Sequence, residues 1–318
     1  MLIAGSDDGV YRLDGVHTDD ATSEQVLDAG SVMRLRTFDS VEGVFAATTS
    51  GLYHSLDAEK WTDLGVPREK VYSVAASPAG TLHAGTRPAH VYTASLGDED
   101  LDSLSWRERE DFQSLPSREE WRLPRHENLA QVRDLHVPAG APDRVVAGVE
   151  VGGVHVSEDG GETWAERREG EDDDVHELVA VDAETFVAAT GFGLFRTTDA
   201  GRSWTRLDEG FEQRYFRSAL AVGETVYAGG ALAHTATWVE DDAAPALFVC
   251  RDGETLERVE HPRAEETVTG LAVFDGGVAA GTHTGAVMVE NGDGWSVVGA
   301  IPTADPPVSY TPLVEFEP

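Results

Sequence analysis

Arginine residues cluster in one short part of this chain, although acidic residues dominate its composition. The 318 residues contain 58 Asp plus Glu and only 24 Lys plus Arg, which gives a formal net charge of −34. A guanidinium presents paired donors that match planar oxyanions, so the cluster predicts an anion or carboxylate pocket. Its members are Arg107, Arg109, Arg118, Arg122, Arg125 and Arg133.

Acidic neighbours of these arginines offer an alternative interpretation, in which the cluster forms internal salt bridges. They are Glu108, Glu110, Asp111, Glu119, Glu120 and Glu127. Three arginines elsewhere lie near the starts of apolar strands or in a connecting loop, and aromatic residues accompany them as at many recognition surfaces. The ligand-binding set that we predict comprises Arg34, Arg87, Trp121, Arg122, Arg125, His126, Arg133 and Arg217.

Hydrolysis of a glycoside would require two carboxylates about 5 to 10 Å apart across the bond that is cut. Glu150, in the loop GVEVGG, is the best single candidate, and a solvated loop glutamate is the alternative interpretation. The 11 histidines show no H-E-x-x-H spacing, and no glycine-rich stretch has the context of a phosphate-binding loop. We therefore predict no metal and no cofactor.

A repeated strand must position these side chains. A segment ending in Ala-Gly or Ala-Ala recurs with its marker residue at positions 5, 47, 85, 148, 189, 229 and 281. Four of the six spacings, at 42, 38, 41 and 40 residues, are close to the forty residues that a four-stranded blade needs. We predict an all-β, seven-bladed β-propeller of four-stranded antiparallel blades in one domain, 1–318. The first copy has no strand before it, so the tail from Val308 should pair with the N-terminal segment and close the ring.

Two longer spacings, of 63 and 52 residues, indicate insertions at about 106–131 and 231–246. Because successive strands of a blade run in opposite directions, both insertions should emerge on one face. The loops that precede the inner strands emerge on the same face. Neither insertion should be needed to complete a blade. The predicted ligand-binding residues would meet on this face.

Two turns carry a recognisable motif. SEDGGETW and TTDAGRSW match the pattern S-x-D-x-G-x-T-W, the second with conservative replacements. Asp can accept backbone N–H groups there, Gly can take a positive φ, and Trp can pack between blades. The structural residues of these Asp boxes are Ser157, Asp159, Gly161, Thr163, Trp164, Thr197, Asp199, Gly201, Ser203 and Trp204.

With these motifs the chain resembles BNR or Asp-box propellers over nearly its whole length. That group includes sialidases, sortilin-type receptor ectodomains, xyloglucanases and photosystem II assembly factors. The resemblance implies that function lies on the face opposite the Asp boxes. A sialidase would supply an arginine triad, a tyrosine nucleophile backed by a carboxylate, and an early Arg-Ile-Pro motif. Here Arg-Ile-Pro is absent, and Tyr215 with Arg217 imitates only part of such a site.

The leading hypothesis is therefore a non-catalytic recognition or assembly scaffold that binds a protein segment or a small anionic or carbohydrate ligand. The alternative is a glycoside hydrolase, sialidase-like or of another BNR type, with Glu150 and Tyr215 as weak catalytic candidates. The acidic surface is typical of a protein adapted to molar salt, where screening removes most like-charge repulsion. It argues against nucleic acid as a ligand. We expect a cytoplasmic monomer that does not bind a membrane.

Overall fold

The computed structural model describes residues 1–17, 21–96, 101–124, 127–240, 242–292, 294–305 and 310–318. Their regular structure is almost entirely antiparallel β-sheet, interrupted by short 3₁₀ turns at Leu101–Ser103, Glu110–Ser114, Arg118–Glu120 and Thr235–Thr237. No helix in this part of the chain is long and apolar enough to cross a membrane. The predicted seven-bladed propeller of four-stranded blades is confirmed.

Within each blade, the four strands are hydrogen-bonded in order from the central channel outward. Blade 1 contains β28 (Leu313–Glu315), β1 (Leu2–Gly5), β2 (Gly9–Asp14) and β3 (Thr22–Asp28); blade 2 contains β4 (Val32–Phe38), β5 (Val41–Thr48), β6 (Gly51–Ser55) and β7 (Thr62–Asp63). Blade 3 contains β8 (Val71–Ala76), β9 (Thr81–Thr86), β10 (Val91–Ser95) and β11 (Arg107–Glu108); blade 4 contains β12 (Gln131–His136), β13 (Val145–Glu150), β14 (Gly153–Ser157) and β15 (Ala165–Glu166).

The remaining three blades follow the same order. Blade 5 contains β16 (Val175–Ala180), β17 (Phe186–Thr190), β18 (Gly193–Thr197) and β19 (Thr205–Arg206). Blade 6 contains β20 (Tyr215–Val222), β21 (Thr225–Ala231), β22 (Ala246–Cys250) and β23 (Leu256–Val259). Blade 7 contains β24 (Val268–Phe274), β25 (Gly277–Thr282), β26 (Ala286–Asn291) and β27 (Gly294–Ala300).

Both chain ends contribute to blade 1, as the repeat pattern predicts. Strand β28 pairs antiparallel with β1, with Ala4 opposite Leu313 and Leu2 opposite Glu315. The described strand begins at Leu313, directly after Pro312, which has no amide hydrogen and contributes its carbonyl oxygen as acceptor from the Gly5 amide at 2.8 Å. Residues 306–309 lie outside the described part of the chain.

The small residues of the repeat allow neighbouring blades to approach each other closely. A Cβ atom added to Gly148 would lie 2.8 Å from side-chain carbons of Val175 and Leu178 in the next blade. Apolar side chains fill the remaining space between blades, as between blades 3 and 4, where Val91 and Val132 lie in one buried cluster. The repeated Ala-Gly ending is therefore a packing requirement.

Residues 157–164 and 197–204 both form turns with the backbone contacts that we expected of these motifs. Asp159 Oδ1 accepts the Thr163 amide at 2.8 Å, and Ser157 Oγ accepts the Gly161 amide at 2.8 Å. Gly161 has a φ of +90°, and the Trp164 indole is buried. The second turn repeats these contacts through Thr197, Asp199, Gly201, Ser203 and Trp204.

Residues 106–131 depart from the expectation that they are dispensable for a blade. Arg107 and Glu108 pair with Thr93 and Tyr92 as β11, so they form the outer strand of blade 3. The described residues 109–124 and 127–130, which we call the 109–130 segment, precede the inner strand of blade 4 and bury Phe112 and Trp121. This segment is part of the hydrophobic core between the two blades.

Candidate functional site

A β-bulge near the start of the inner strand recurs in six blades. In each, the pairing register shifts by one residue, as between Val132 and Asp134 or between Phe216 and Ser218. A bulge re-aims the extra side chain, and bulges are frequent beside functional sites. The bulged residues are Met33, Tyr72, Arg133, His176, Arg217 and Thr269.

These bulged residues, together with Thr311 and Tyr310 from the C-terminal segment, form what we call the channel ring. Thr311 joins the ring through a 2.6 Å hydrogen bond between its hydroxyl and that of Thr269. Members from blades 2, 4, 5, 6 and 7 line one cavity with Tyr310, which places that cavity on the propeller axis. Its volume is about 20 Å³, close to the space of a single water or monatomic ion.

A layer of buried ion pairs joins the inner strands of blades 2, 4 and 5. Arg34 Nη1 lies 2.5 Å from Glu177 Oε1, and Arg34 Nη2 lies 3.2 Å from Asp134 Oδ2. Arg36 contacts Asp134 as well, at 3.3 Å. Burial alone would raise the pKa of Asp134. The neighbouring Arg34, His136 and Arg36 nevertheless hold this pKa well below its ordinary value. Charges in this layer are therefore paired within the protein.

Arg217, in the ring itself, is different. The residue is 2% exposed, and none of its three guanidinium-group nitrogens has a hydrogen-bond partner among the described residues. Its guanidinium carbon lies 3.6 Å from the centre of the Tyr310 ring, a cation–π contact. Burial and the nearby charge of Arg133 lower the pKa of Arg217. Among the described residues, this buried guanidinium therefore forms neither a hydrogen bond nor a close ion pair.

Arg133 flanks the same tyrosine. Its guanidinium carbon lies 5.0 Å from the Tyr310 ring centre and 5.4 Å from that of Tyr72, and its Nε lies 3.5 Å from Glu150 Oε2. Gln131 donates to the same Glu150 oxygen. Burial alone would raise the pKa of Glu150, but Arg133 and other positive groups lower it. Glu150 is therefore an ionised, buried carboxylate.

Glu150 and Asp174 lie beside His176, a member of the channel ring, and the three form a cluster of two carboxylates and one imidazole. One donor atom from each lies within 4.8 Å of the other two. The Tyr215 ring packs on His176, with ring centres 4.6 Å apart. Burial raises the pKa of Tyr215 above its ordinary value, so its phenol stays protonated at neutral pH.

The structure brings together Arg34, Arg133, Arg217, Glu150 and Tyr215, all of which the sequence analysis singled out. Arg87 lies beside them, where its Nη1 donates to the Tyr72 hydroxyl at 3.2 Å. Glu150 is only 4% exposed, so its interpretation as a solvated loop residue is wrong. Together with Arg87, these five residues come from four blades. They converge because bulges or strand ends place them at the channel.

Two predicted ligand-binding residues lie elsewhere. Trp121 is 2% exposed and packs edge-on against Phe112, 5.3 Å between ring centres, while its indole nitrogen donates to Ser117 Oγ. It is a core residue because the 109–130 segment folds its apolar face onto blade 4. Arg122 is exposed and donates to the Glu119 carbonyl. Arg125 and His126 lie outside the described residues.

Sequence reasoning missed Tyr72, Asp174, His176 and Tyr310. A signal for two of them was present in the repeats. Inner strands begin with an apolar residue followed by the bulged one, as in Val71-Tyr72, Val132-Arg133 and Val175-His176. Aligning the repeats on this pair would have placed Tyr72 and His176 in the ring.

Comparisons with solved structures agree on the fold. The GH74 enzyme of Niastella koreensis superposes with a TM-score of 0.60 at 14% identity, covering 84% of this chain and 45% of that one. The WD40 β-propeller domain of Doa1 gives 0.58 at 15% identity, covering 87% and 84%. YCF48 bound to D1 peptide gives 0.57 at 14% identity, covering 84% and 81%.

These similarities show the propeller architecture alone, because the sequence identities are so low. The chain spans less than half the length of the GH74 chain that it matches. No protein-family model matches the sequence. No curated protein matches it either.

Proposed function

We propose that this protein is a non-catalytic recognition propeller that binds an anionic group, carried by a protein segment or a small ligand, at the channel ring. One observation carries the proposal: the Arg217 guanidinium is buried without a hydrogen-bond partner among the described residues. A buried charge is tolerated when it is paired. A ligand carboxylate would provide that pairing and two or more charge-assisted hydrogen bonds.

The surroundings of Arg217 fit such a ligand. Arg133 adds a second positive group, and Tyr72, Tyr215 and Tyr310 provide aromatic walls for the group that carries the anion. The cavity of about 20 Å³ admits an oxygen or a monatomic ion, so the rest of a ligand would lie outside it. YCF48, which shares the fold, has been solved bound to a peptide. We place this activity in a high-salt cytoplasm because the net charge of −34 calls for strong screening.

A hydrolase has less support. GH74 enzymes share the fold, and carboxylate oxygens of Glu150 and Asp174 lie within 4.8 Å of each other. Small-molecule sites usually have volumes of about 300 to 1,000 Å³, however, and a sugar ring does not fit beside Arg217 in about 20 Å³. The raised pKa of Tyr215 also counts against a tyrosinate nucleophile.

A peptide library tests the proposal. Random heptapeptides with free C-terminal carboxylates, and the same library amidated, are applied to immobilised protein in about 1 M KCl with EDTA, where surface attraction is screened. We expect wild type to retain carboxylate peptides at least about tenfold better than amides, a difference of about 1.4 kcal/mol. Arg217→Met should abolish that preference.

Arg122→Met is the matched control, since this exposed arginine lies outside the ring. An unchanged preference in Arg217→Met, with loss in Arg122→Met, would contradict the proposed site. Turnover of xyloglucan or a sialylated oligosaccharide by wild type, lost in Glu150→Gln, would replace the scaffold with the hydrolase.

A further inference from the structure

We infer that Glu150, Asp174 and His176 form a site for one divalent transition-metal ion of the Zn²⁺ class. The inference is independent of the proposed anion recognition, because it rests on a different set of donor atoms. A carboxylate oxygen from each acid and an imidazole nitrogen lie within 4.8 Å of one another. Three protein donors with open positions are the usual arrangement of an accessible zinc site.

The backbone holds the three donors in fixed positions. Glu150 ends β13, His176 is the bulged residue of β16, and a β-bridge joins Glu150 to Asp174. The amide of Gly191 donates to the Asp174 carbonyl at 2.9 Å. Zinc ligands lie about 2.0 to 2.2 Å from the ion, so the side chains need to close on it only by small rotations.

The imidazole of His176 provides the second observation. Its Nδ1 lies 2.7 Å from the Phe216 carbonyl oxygen, which can only accept, so Nδ1 carries the hydrogen. With the hydrogen on Nδ1, the nitrogen that can offer a lone pair to a metal ion is Nε2. That atom is buried without a hydrogen-bond partner among the described residues, and it lies 3.6 Å from Asp174 Oδ1. Metal-binding histidines are oriented in this way by a carbonyl on the other nitrogen.

The donor set selects the class of ion. One imidazole with two carboxylates suits Zn²⁺, Co²⁺ or Mn²⁺, whereas Mg²⁺ and Ca²⁺ prefer oxygen donors alone. Asp172 and Asp173 add negative charge on the same loop. Arg133 opposes the cation, since its Nε lies 3.5 Å from Glu150 Oε2. Replacing Arg133 should therefore tighten metal binding.

Cobalt titration tests the site, because bound Co²⁺ gives visible absorption bands that report its ligands. The titration is run in about 1 M KCl with excess Mg²⁺, so that the acidic surface binds little Co²⁺. We expect wild type to bind one Co²⁺ per chain, in competition with Zn²⁺. His176→Gln and Asp174→Asn should each weaken binding by at least about tenfold. Arg133→Met should strengthen it.

His136→Gln is the matched control. His136 also contacts a buried carboxylate, that of Asp134 at 3.5 Å, but its Nε2 donates to the Leu178 carbonyl. This variant should keep the cobalt spectrum, and near-UV circular dichroism checks that each variant is folded. Equal binding by wild type and folded His176→Gln, or no tightening in Arg133→Met, would overturn the inference. The peptide assay contains EDTA, so the two sites can fail separately.

Discussion

Two arginines that line the same channel cavity illustrate how burial and pairing decide the role of a charge. Arg34 contacts Glu177 and Asp134, and all three are buried. Arg217 is equally buried but has no hydrogen-bond partner among the described residues. Arg34 therefore stabilises the channel, whereas we propose that Arg217 binds a ligand.

Replacing each arginine by methionine should have opposite effects on stability. Arg34→Met leaves two buried carboxylates with less compensation and should lower the free energy of unfolding by about 3 to 5 kcal/mol. Arg217→Met removes an unpaired buried cation and should leave that free energy unchanged or raise it by about 1 to 4 kcal/mol. Urea unfolding in EDTA and high salt measures both. Equal destabilisation by the two substitutions would mean that Arg217 is paired in the folded protein.

Asp199 links the turn at residues 197–204 to acid stability. The hydrogen bond from Ser203 lowers the pKa of this carboxyl to about 2, whereas an unfolded Asp titrates near 3.9. Because the folded pKa is the lower one, the stabilisation is complete above about pH 4 and is lost as the pH falls through about 2.

The measurement is the urea midpoint between pH 6 and pH 2, for wild type and Asp199→Asn. Wild type should lose stability over the acid range, and the variant should lose less over the same range. Glu209→Gln, an exposed acid in the loop that follows β19, is the control and should match wild type. Parallel pH profiles for wild type and Asp199→Asn would show that this turn is not the acid-sensitive element.

At the scale of elements, the 109–130 segment acts as a wedge between two blades. Trp121 contributes a large buried side chain to that wedge, so Trp121→Ala should cost about 3 to 5 kcal/mol of unfolding free energy. Arg122→Ala, at the exposed neighbouring position, should change it by less than about 0.5 kcal/mol. Urea unfolding distinguishes the two outcomes. A small effect of Trp121→Ala would return this residue to the ligand-binding set.

The repeat made the blades predictable, because every copy must satisfy the same packing and turn geometry. Gly148 is required by the close approach of the next blade, and Asp159 accepts a backbone hydrogen bond within its turn. Both roles could be predicted from the sequence. The position of Trp121 could not, since an aromatic in an insertion suits a core and a binding surface equally well. The same holds for Glu150, whose burial depends on contacts with Arg133 and Gln131 from a separate strand.

The channel-ring residues Arg217 and His176 owe their positions to bulges rather than to strand alternation. Alternation alone predicts which residues face a neighbouring blade, but not the extra residue that a bulge turns toward the axis. Arg34 and Arg217 could be identified because they lie near the starts of apolar strands, and Arg133 because it belongs to the arginine cluster. Tyr310 was missed because its role depends on ring closure.

At the scale of the whole molecule, closure joins the first and last residues into one sheet. Leu313 in β28 is 4% exposed and packs in the cluster between blades 7 and 1. Leu313→Asp should cost at least about 3 kcal/mol and promote aggregation through the opened edge. Val273→Asp, at a 41% exposed position of another inner strand, is the control. Equal urea midpoints for these two variants would contradict closure by β28.

We propose anion recognition at the channel ring because the Arg217 guanidinium has no hydrogen-bond partner among the described residues. The most direct measurement is a crystal structure of the wild-type protein soaked in bromide, whose anomalous scattering marks a bound anion without the need to know the natural ligand. We predict a bromide ion within hydrogen-bonding distance of the Arg217 guanidinium, absent from Arg217→Met crystals. A guanidinium fully satisfied by water or protein oxygens, with no anomalous peak beside it, would contradict the account.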